Sequence, residues 1–202
     1  MLNTICYKLS HFILRFLVII FLGYRARGQN NVPLKGGGIL ASNHQSFLDP
    51  VLIAMGTSRP IYFLAKQELF SANWLFGLFI TLHNAVPLNR EATSSDIIRK
   101  AIGLLKEGKL IVVFPEGTRT NNGRVKEFKG GISFLSQKSN TPIIPIYISG
   151  AYNIWPRQAS LPVRLSSVRL DYTKPVYPDS AMPSDAVLGK VRGQITSLEK
   201  LK

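Results

Sequence analysis

The chain has 202 residues, of which 46% are hydrophobic and 18% charged. This composition fits one globular domain and excludes a disordered or fibrous chain. Lys and Arg number 25 against 11 Asp and Glu, a formal net charge of +14, so the expected partner is anionic: nucleic acid, or a membrane surface carrying acidic lipids. The single cysteine, Cys6, rules out an internal disulfide and a Cys-based metal site.

The N-terminus bears on which anionic partner is meant. No Asp or Glu precedes Asp49, whereas Lys8, Arg15, Arg25, Arg27 and Lys35 do. Between Arg15 and Arg25 the chain is uncharged and mostly apolar, about ten residues where a spanning helix needs roughly 20. Tyr24-Arg25-Ala26-Arg27 is a poor signal-peptide cleavage site, which wants small residues. The segment reads best as an interfacial anchor, with Lys8 and Arg15 snorkelling to the headgroups. A true span and a helix packed on its own core are the alternatives. No helix-turn-helix, zinc-ligand spacing or RNP-like aromatic motif accompanies the charge, so a membrane is expected and nucleic acid is not.

After Gly28, short apolar strands alternate with helical stretches. Strands are expected at 38–43, 60–65, 85–88, 109–114, 143–149 and 168–172, and helices at 46–55, 69–83, 94–106, 130–138 and 184–201. Ile97, Ile98, Ala101, Ile102, Leu104 and Leu105 mark one face of the 94–106 helix. Pro145 assigns its strand to an edge or a bulge. The run from Trp74 to Phe79 is core, or in a membrane-bound protein an acyl-chain groove. The order implies an α/β domain at 29–202, its sheet mostly parallel or mixed and flanked by helices, preceded by a membrane-associating helical segment at 1–28. Ligands in such folds gather at the carboxyl ends of strands.

Two motifs fall there. His44 and Asp49 follow the first strand, in Ser42-Asn43-His44-Gln45-Ser46-Phe47-Leu48-Asp49. Histidine takes and returns a proton near neutral pH, and a carboxylate on its far nitrogen fixes the tautomer and stabilises the imidazolium. The same residues also read as a helix start, Ser46 capping with Asp49 reaching back. The two readings are compatible, because a first-turn side chain can face His44. Phe114-Pro115-Glu116-Gly117-Thr118-Arg119 follows the 109–114 strand. There a glycine exposes backbone N–H groups and an arginine presents a fork that matches phosphate. Backbone N–H groups beside His44 or Gly117 are candidates for stabilising an oxyanion. Other templates fail: Gly36-Gly37-Gly38 precedes a strand instead of linking strand to helix, and neither a Walker A sequence nor a Gly-x-Ser-x-Gly elbow is present. His11 and His83 lack ligand-spaced partners and read as structural.

Asn43-His44-x-Ser46-x-x-Asp49, Pro87-Leu88-Asn89-Arg90, Phe114-Pro115-Glu116-Gly117-Thr118-Arg119 and Ile144-Pro145-Ile146 resemble the four ordered blocks of the glycerolipid acyltransferase family, the lysophosphatidic acid acyltransferase group. Lys66-Gln67-Glu68-Leu69 and Phe128-Lys129-Gly130-Gly131 resemble its intervening segments, so the likeness covers about residues 32–150. It implies that His44 and Asp49 are catalytic and that Arg90, Glu116, Gly117, Thr118, Arg119 and Lys66 bind substrate. The implied reaction passes an acyl group from acyl-carrier protein or coenzyme A to the hydroxyl of 1-acylglycerol 3-phosphate; another lysophospholipid or lyso-aminolipid acceptor, and a non-catalytic lipid-binding protein of the membrane surface, are the alternatives. The transfer needs no metal, cofactor or acyl-enzyme and takes place at a membrane, most simply its cytoplasmic face. Two departures bear on the acceptor: Asn89 stands where the family has an acid before the arginine, and Asn84 where a glycine is common.

Overall fold

The structure is a computed structural model. It describes residues 16, 18–71, 77, 78, 80, 81, 83–88, 93–179 and 182–201, with backbone alone at 66, 69 and 94. Its strands are β1 (Arg25–Arg27), β2 (Gly38–Ser42), β3 (Ile61–Lys66), β4 (Ala85–Leu88), β5 (Leu110–Val113), β6 (Ile143–Ser149) and β7 (Arg169–Tyr172). Its helices are α1 (Asp49–Met55), α2 (Glu68–Ser71), α3 (Ser94–Lys106), α4 (Gly131–Ser139), α5 (Ala151–Ile154) and α6 (Ser184–Glu199). The strands form one sheet in the order β1-β7-β6-β2-β5-β3-β4. Neighbours are parallel except β6 and β7. The expected helix-flanked, mostly parallel sheet is what forms.

Alternation along the strands explains the layers. Leu40, Val112, Ile144 and Ile146 face one side of the sheet, where Leu52, Ile53 and Met55 of α1 cover them. Ile39, Ala41, Ile111 and Ile143 face the other, under Ala101 and Leu105 of α3, Ile132 and Leu135 of α4, and Val187, Val191 and Ile195 of α6. Full burial on both faces is why these strands read as continuous apolar runs. The far end of α1 is held by two tyrosines, Tyr24 Oη donating to the Leu52 carbonyl at 2.9 Å and Tyr172 Oη to that of Ile53 at 3.1 Å. They press on Gly56, where an added Cβ would lie 2.2 Å from Tyr172 Oη and 2.7 Å from Tyr24 Oη.

Pro145 departs from one half of its expectation. Its strand is internal, between β7 and β2. The pyrrolidine is tolerated because the antiparallel ladder with β7 bulges there. Thr173 N–H donates to the Pro145 carbonyl at 2.9 Å, and the next bridge joins Ile143 to Val176. The partner thus advances three residues while β6 advances two. Strand β1 lies within the 1–28 segment and pairs with β7. Most of that segment, including Cys6 and His11, lies outside the described residues, as do 72–76 and 79 of the aromatic run.

Sheet topology also makes a crevice. Strands β2 and β5 are adjacent and parallel. From β2 the chain crosses over one face through α1 to β3; from β5 it crosses the opposite face through α4 to β6. The two exits diverge, and ligands in doubly wound sheets bind where this happens.

Candidate active site

Beyond β2, backbone pairing with β6 is taken over by a side chain. Asn43 Nδ2 donates to the Ile148 carbonyl at 3.0 Å and Asn43 Oδ1 accepts the Ile148 N–H at 2.7 Å. This clamp extends the strand by one residue and releases His44 into the crevice. The His44 N–H then donates to Glu116 Oε1 at 3.1 Å, and the His44 carbonyl accepts the Thr120 N–H at 2.8 Å. The loop after β5 therefore holds both backbone polar groups of His44, two residues beyond β2.

Asp49 turns back from the first turn of α1. Its Oδ2 accepts from His44 Nδ1 at 2.7 Å, the Gln45 N–H at 2.6 Å and the Ser46 N–H at 2.7 Å. Ser46 Oγ accepts the Leu48 N–H at 3.2 Å and donates to the Trp155 carbonyl at 2.9 Å. Asp49 thus reaches back to the Ser46 backbone while also binding the ring, but the helix begins at Asp49 with Leu48 as its N-cap, so Ser46 tightens the preceding turn and does not cap the helix as expected. The carboxyl is fully buried. Burial raises its pKa, against the pull of the His44 ring and of the Ser46 and Gln45 N–H groups. The imidazole stacks on Phe114 with ring centroids 3.9 Å apart. With Nδ1 committed to Asp49, Nε2 is the nitrogen left for a substrate proton. This is the geometry of an oriented general base.

Around it lie the residues of the second motif. Glu116 is buried, which pushes its carboxyl up to about 7, and Oε2 has no hydrogen-bond partner among the described residues. Gly117 adopts φ 70°, a conformation that favours glycine, and an added Cβ would lie 3.1 Å from Lys129 Nζ. The Arg119 guanidinium stacks 3.3 Å over the Phe47 ring, and its Nη1 is buried without a partner among the described residues. Burial and the nearby Arg157 lower its pKa. Arg157 donates to Thr118 Oγ1 at 2.9 Å, and the Lys126 ammonium donates to the Arg119 carbonyl at 3.3 Å.

His44, Asp49, Glu116, Gly117, Thr118 and Arg119 are therefore brought together, with Arg119, Arg157, Lys126 and Lys129 as a cluster of cations beside the base. Arg90 lies outside the described residues; Lys66 is in β3, its side chain undescribed. The proposed oxyanion donors are mostly committed already. The N–H groups of His44, Gln45 and Ser46 bond to Glu116 and Asp49, and that of Gly117 to the Phe114 carbonyl at 3.0 Å. Phe114, Phe47 and Arg157 escaped sequence reasoning as site residues. The first two lie inside the motifs and carried a readable signal, an aromatic beside each polar key residue; Arg157 reaches the site from α5 onward with none. Among the described residues there is no group of three or more His, Cys, Asp and Glu side chains placed to hold a metal ion.

A sheet with its crossovers diverging above a His–Asp pair and a Pro-Glu-Gly-Thr-Arg loop defines a class of acyl-transferring proteins. The chain belongs to it: a family model described as Acyltransferase matches residues 23–149. Among similar proteins is a chloroplastic 1-acyl-sn-glycerol-3-phosphate acyltransferase of Brassica napus, 31% identical over 93% of this chain and 55% of its own. Another is the 1-acyl-sn-glycerol-3-phosphate acyltransferase of Bacillus subtilis, 30% identical over 71% of each chain. The chain spans about half the length of the plant relatives it matches, 55% of the one from Brassica napus and 53% of one from Arabidopsis thaliana. The crystal structure of the 1-acyl-sn-glycerophosphate acyltransferase PlsC from Thermotoga maritima superposes with a TM-score of 0.80 at 27% identity, over 96% of this chain and 80% of that one.

Proposed function

We propose that this chain transfers a fatty acyl group from an acyl thioester, of acyl-carrier protein or coenzyme A, to the free hydroxyl of 1-acylglycerol 3-phosphate, giving phosphatidic acid. The observation that carries this is the His44–Asp49 pair beside a cluster of cations. His44 Nε2 removes the hydroxyl proton as the oxygen attacks the thioester carbonyl. The tetrahedral intermediate collapses with loss of thiolate, which takes the proton back from His44. Asp49 holds the ring and balances the imidazolium. Arg119, with Arg90 by resemblance, binds the acceptor phosphate, while Gly117 and Thr118 let it approach the backbone. Glu116 holds the His44 peptide in place, a role nearer positioning than the direct substrate contact implied by resemblance. Lys66 is assigned to substrate by resemblance alone.

The reaction is placed at a membrane, at its cytoplasmic face, where acyl thioesters and lysolipids meet. No helix among the described residues is long and apolar enough to cross a bilayer. Phe16, Ile19, Ile20 and Phe21 are nevertheless exposed, which suits monotopic attachment. Purified protein given radiolabelled lysophosphatidic acid and an acyl thioester should form phosphatidic acid, and His44→Ala should abolish turnover; an undiminished rate in that variant removes the proposal. Asn89 in place of the expected acid supports a second reading with the same chemistry and a different lysophospholipid or lyso-aminolipid acceptor. A panel of acceptors offered to one preparation separates the two.

A further inference from the structure

Residues 156–167 form a connection of which only Arg157 reaches the candidate site. Leu161, Val163 and Leu165 are 72%, 60% and 68% exposed, each a large apolar group standing in water within five residues. Isolated exposed apolar side chains are ordinary; a row of them is not. Between Glu127 and Asp171 the chain carries no acid, while Arg157, Arg164 and Arg169 lie in and beside this connection.

Its attachments place it. On one side, Val163 N–H donates to the Ile154 carbonyl at 2.8 Å, and Arg157 donates to Thr118 beside the catalytic loop. On the other, Val168 N–H donates to the Leu22 carbonyl at 3.0 Å, and an added Cβ on Gly23 would lie 3.6 Å from Ser167. Leu22 follows the exposed Phe16, Ile19, Ile20 and Phe21. The connection thus bridges the apolar N-terminal stretch and the catalytic loops. All of these lie along one edge of the sheet, because the carboxyl end of β6 is paired with the start of β7, and that with the start of β1. On the same edge a concavity of about 490 Å³ is lined by Arg25 and Arg169 with Ser149, Ser166 and Ser167.

We infer that the 156–167 connection is a second membrane-contact element, seating Leu161, Val163 and Leu165 in the headgroup–acyl boundary of an anionic bilayer with Arg164 and Arg25 over its phosphates. A row of apolar side chains flanked by arginines without acids matches the composition of that boundary, apolar below and anionic above. An acidic protein partner would satisfy the arginines but leave the apolar row unexplained. The inference goes beyond the proposed reaction and does not depend on it, since seating needs no turnover.

The test uses the full chain with its one cysteine removed, Cys6→Ser, and an environment-sensitive fluorophore on the thiol introduced by Val163→Cys. A second protein carries the fluorophore through Ser58→Cys, exposed at the opposite edge before β3. Each is mixed with equimolar phosphatidylcholine and phosphatidylglycerol vesicles, and binding is checked by sedimentation. The Val163→Cys probe should brighten severalfold and be quenched by nitroxide on the lipid chains, while the Ser58→Cys probe stays unchanged. A silent Val163→Cys probe on sedimented protein overturns the inference. Unlabelled protein with Leu161→Ser, Val163→Ser and Leu165→Ser together should partition about thirtyfold more weakly, from partial insertion of three side chains. Arg164→Gln with Arg25→Gln should erode the preference for phosphatidylglycerol over pure phosphatidylcholine. If the triple variant keeps its partition and instead raises the KM for acyl-carrier protein, the surface docks that acidic protein and the inference is wrong. Repeating the set in a His44→Ala background leaves the expected result unchanged, which separates this inference from the proposed reaction.

Discussion

Two substitutions at Asp49 separate its chemistry from its structural role. One oxygen, Oδ2, accepts three donors: the His44 ring and the N–H groups of Gln45 and Ser46. Asp49→Ala strands both N–H groups in a buried loop and opens a void, and at about 1–3 kcal/mol for each orphaned group the loss is about 3–5 kcal/mol. Asp49→Asn can turn its carbonyl onto the same three donors and put its amide where Oδ1 lies, a position with no hydrogen-bond partner among the described residues. Because burial disfavours the Asp49 carboxylate, a neutral side chain there relieves a desolvation cost as it gives up charge-assisted bonds. The amide's two N–H groups find no acceptor there, so the net loss of folding stability is expected to be about 1–3 kcal/mol, below that of Asp49→Ala. Turnover is a different matter. Without the carboxylate the imidazolium formed on proton abstraction has no counter-charge, and kcat should fall about 10²–10⁴-fold. Denaturant unfolding and initial-rate kinetics on both variants make the comparison. An Asp49→Asn enzyme that is folded and as fast as wild type refutes the proton-transfer role. An Asp49→Ala protein of unchanged stability refutes the account of how the loop is held.

Arg119→Glu should raise the apparent KM for a phosphate-bearing acceptor at least tenfold, and loss of Lys200 should not; equal small effects in steady-state kinetics would count against the phosphate assignment. Burial lifts the Glu116 carboxyl from 4.5 to about 7, so between those values the folded chain holds one more proton than the unfolded one and stability falls as pH rises. Above that window the penalty is constant, at most about 3 kcal/mol, and Glu116→Gln should flatten the profile in unfolding titrations; parallel profiles would contradict it. Gly56→Ala is allowed by its backbone (φ −87°) but drives a methyl into Tyr172 and Tyr24. It should cost about 2–4 kcal/mol by displacing both hydroxyls from the end of α1, a loss that thermal unfolding would show.

Much of the fold was legible because its strands are buried on both faces and its helices on one. The periodicity at Ile97, Ile98, Ala101 and Leu105 places α3 at its observed limits, Ser94–Lys106. Strand β1 was not legible: it has three residues, two of them arginine, and exists because β7 offers an edge. The edge assignment for Pro145 failed because a proline needs only a locally broken ladder, and the bulge opposite it arises from residues near 174. Within the site, His44, Asp49 and the 114–119 run were legible as motifs, since each sits on one short stretch. The cation beside Thr118 and the carbonyl that receives Ser46 Oγ come from Arg157 and Trp155. No local pattern announces contacts across so much sequence. Asn43 shows the converse: a residue with no evident motif role proves to be a surrogate backbone for β6.

Both polar groups of the His44 peptide are gripped by the loop that is proposed to bind the acceptor, through Glu116 and Thr120. The ring's electronic partner, by contrast, is Asp49 at the start of α1. On the proposed reading, acceptor fit would be geared to the aim of the base: a lipid whose headgroup strained the 116–120 loop would tilt His44 along with it. A poor acceptor of that kind would dock well and then turn over slowly. Selectivity would be expressed as lost catalytic throughput more than as weak capture.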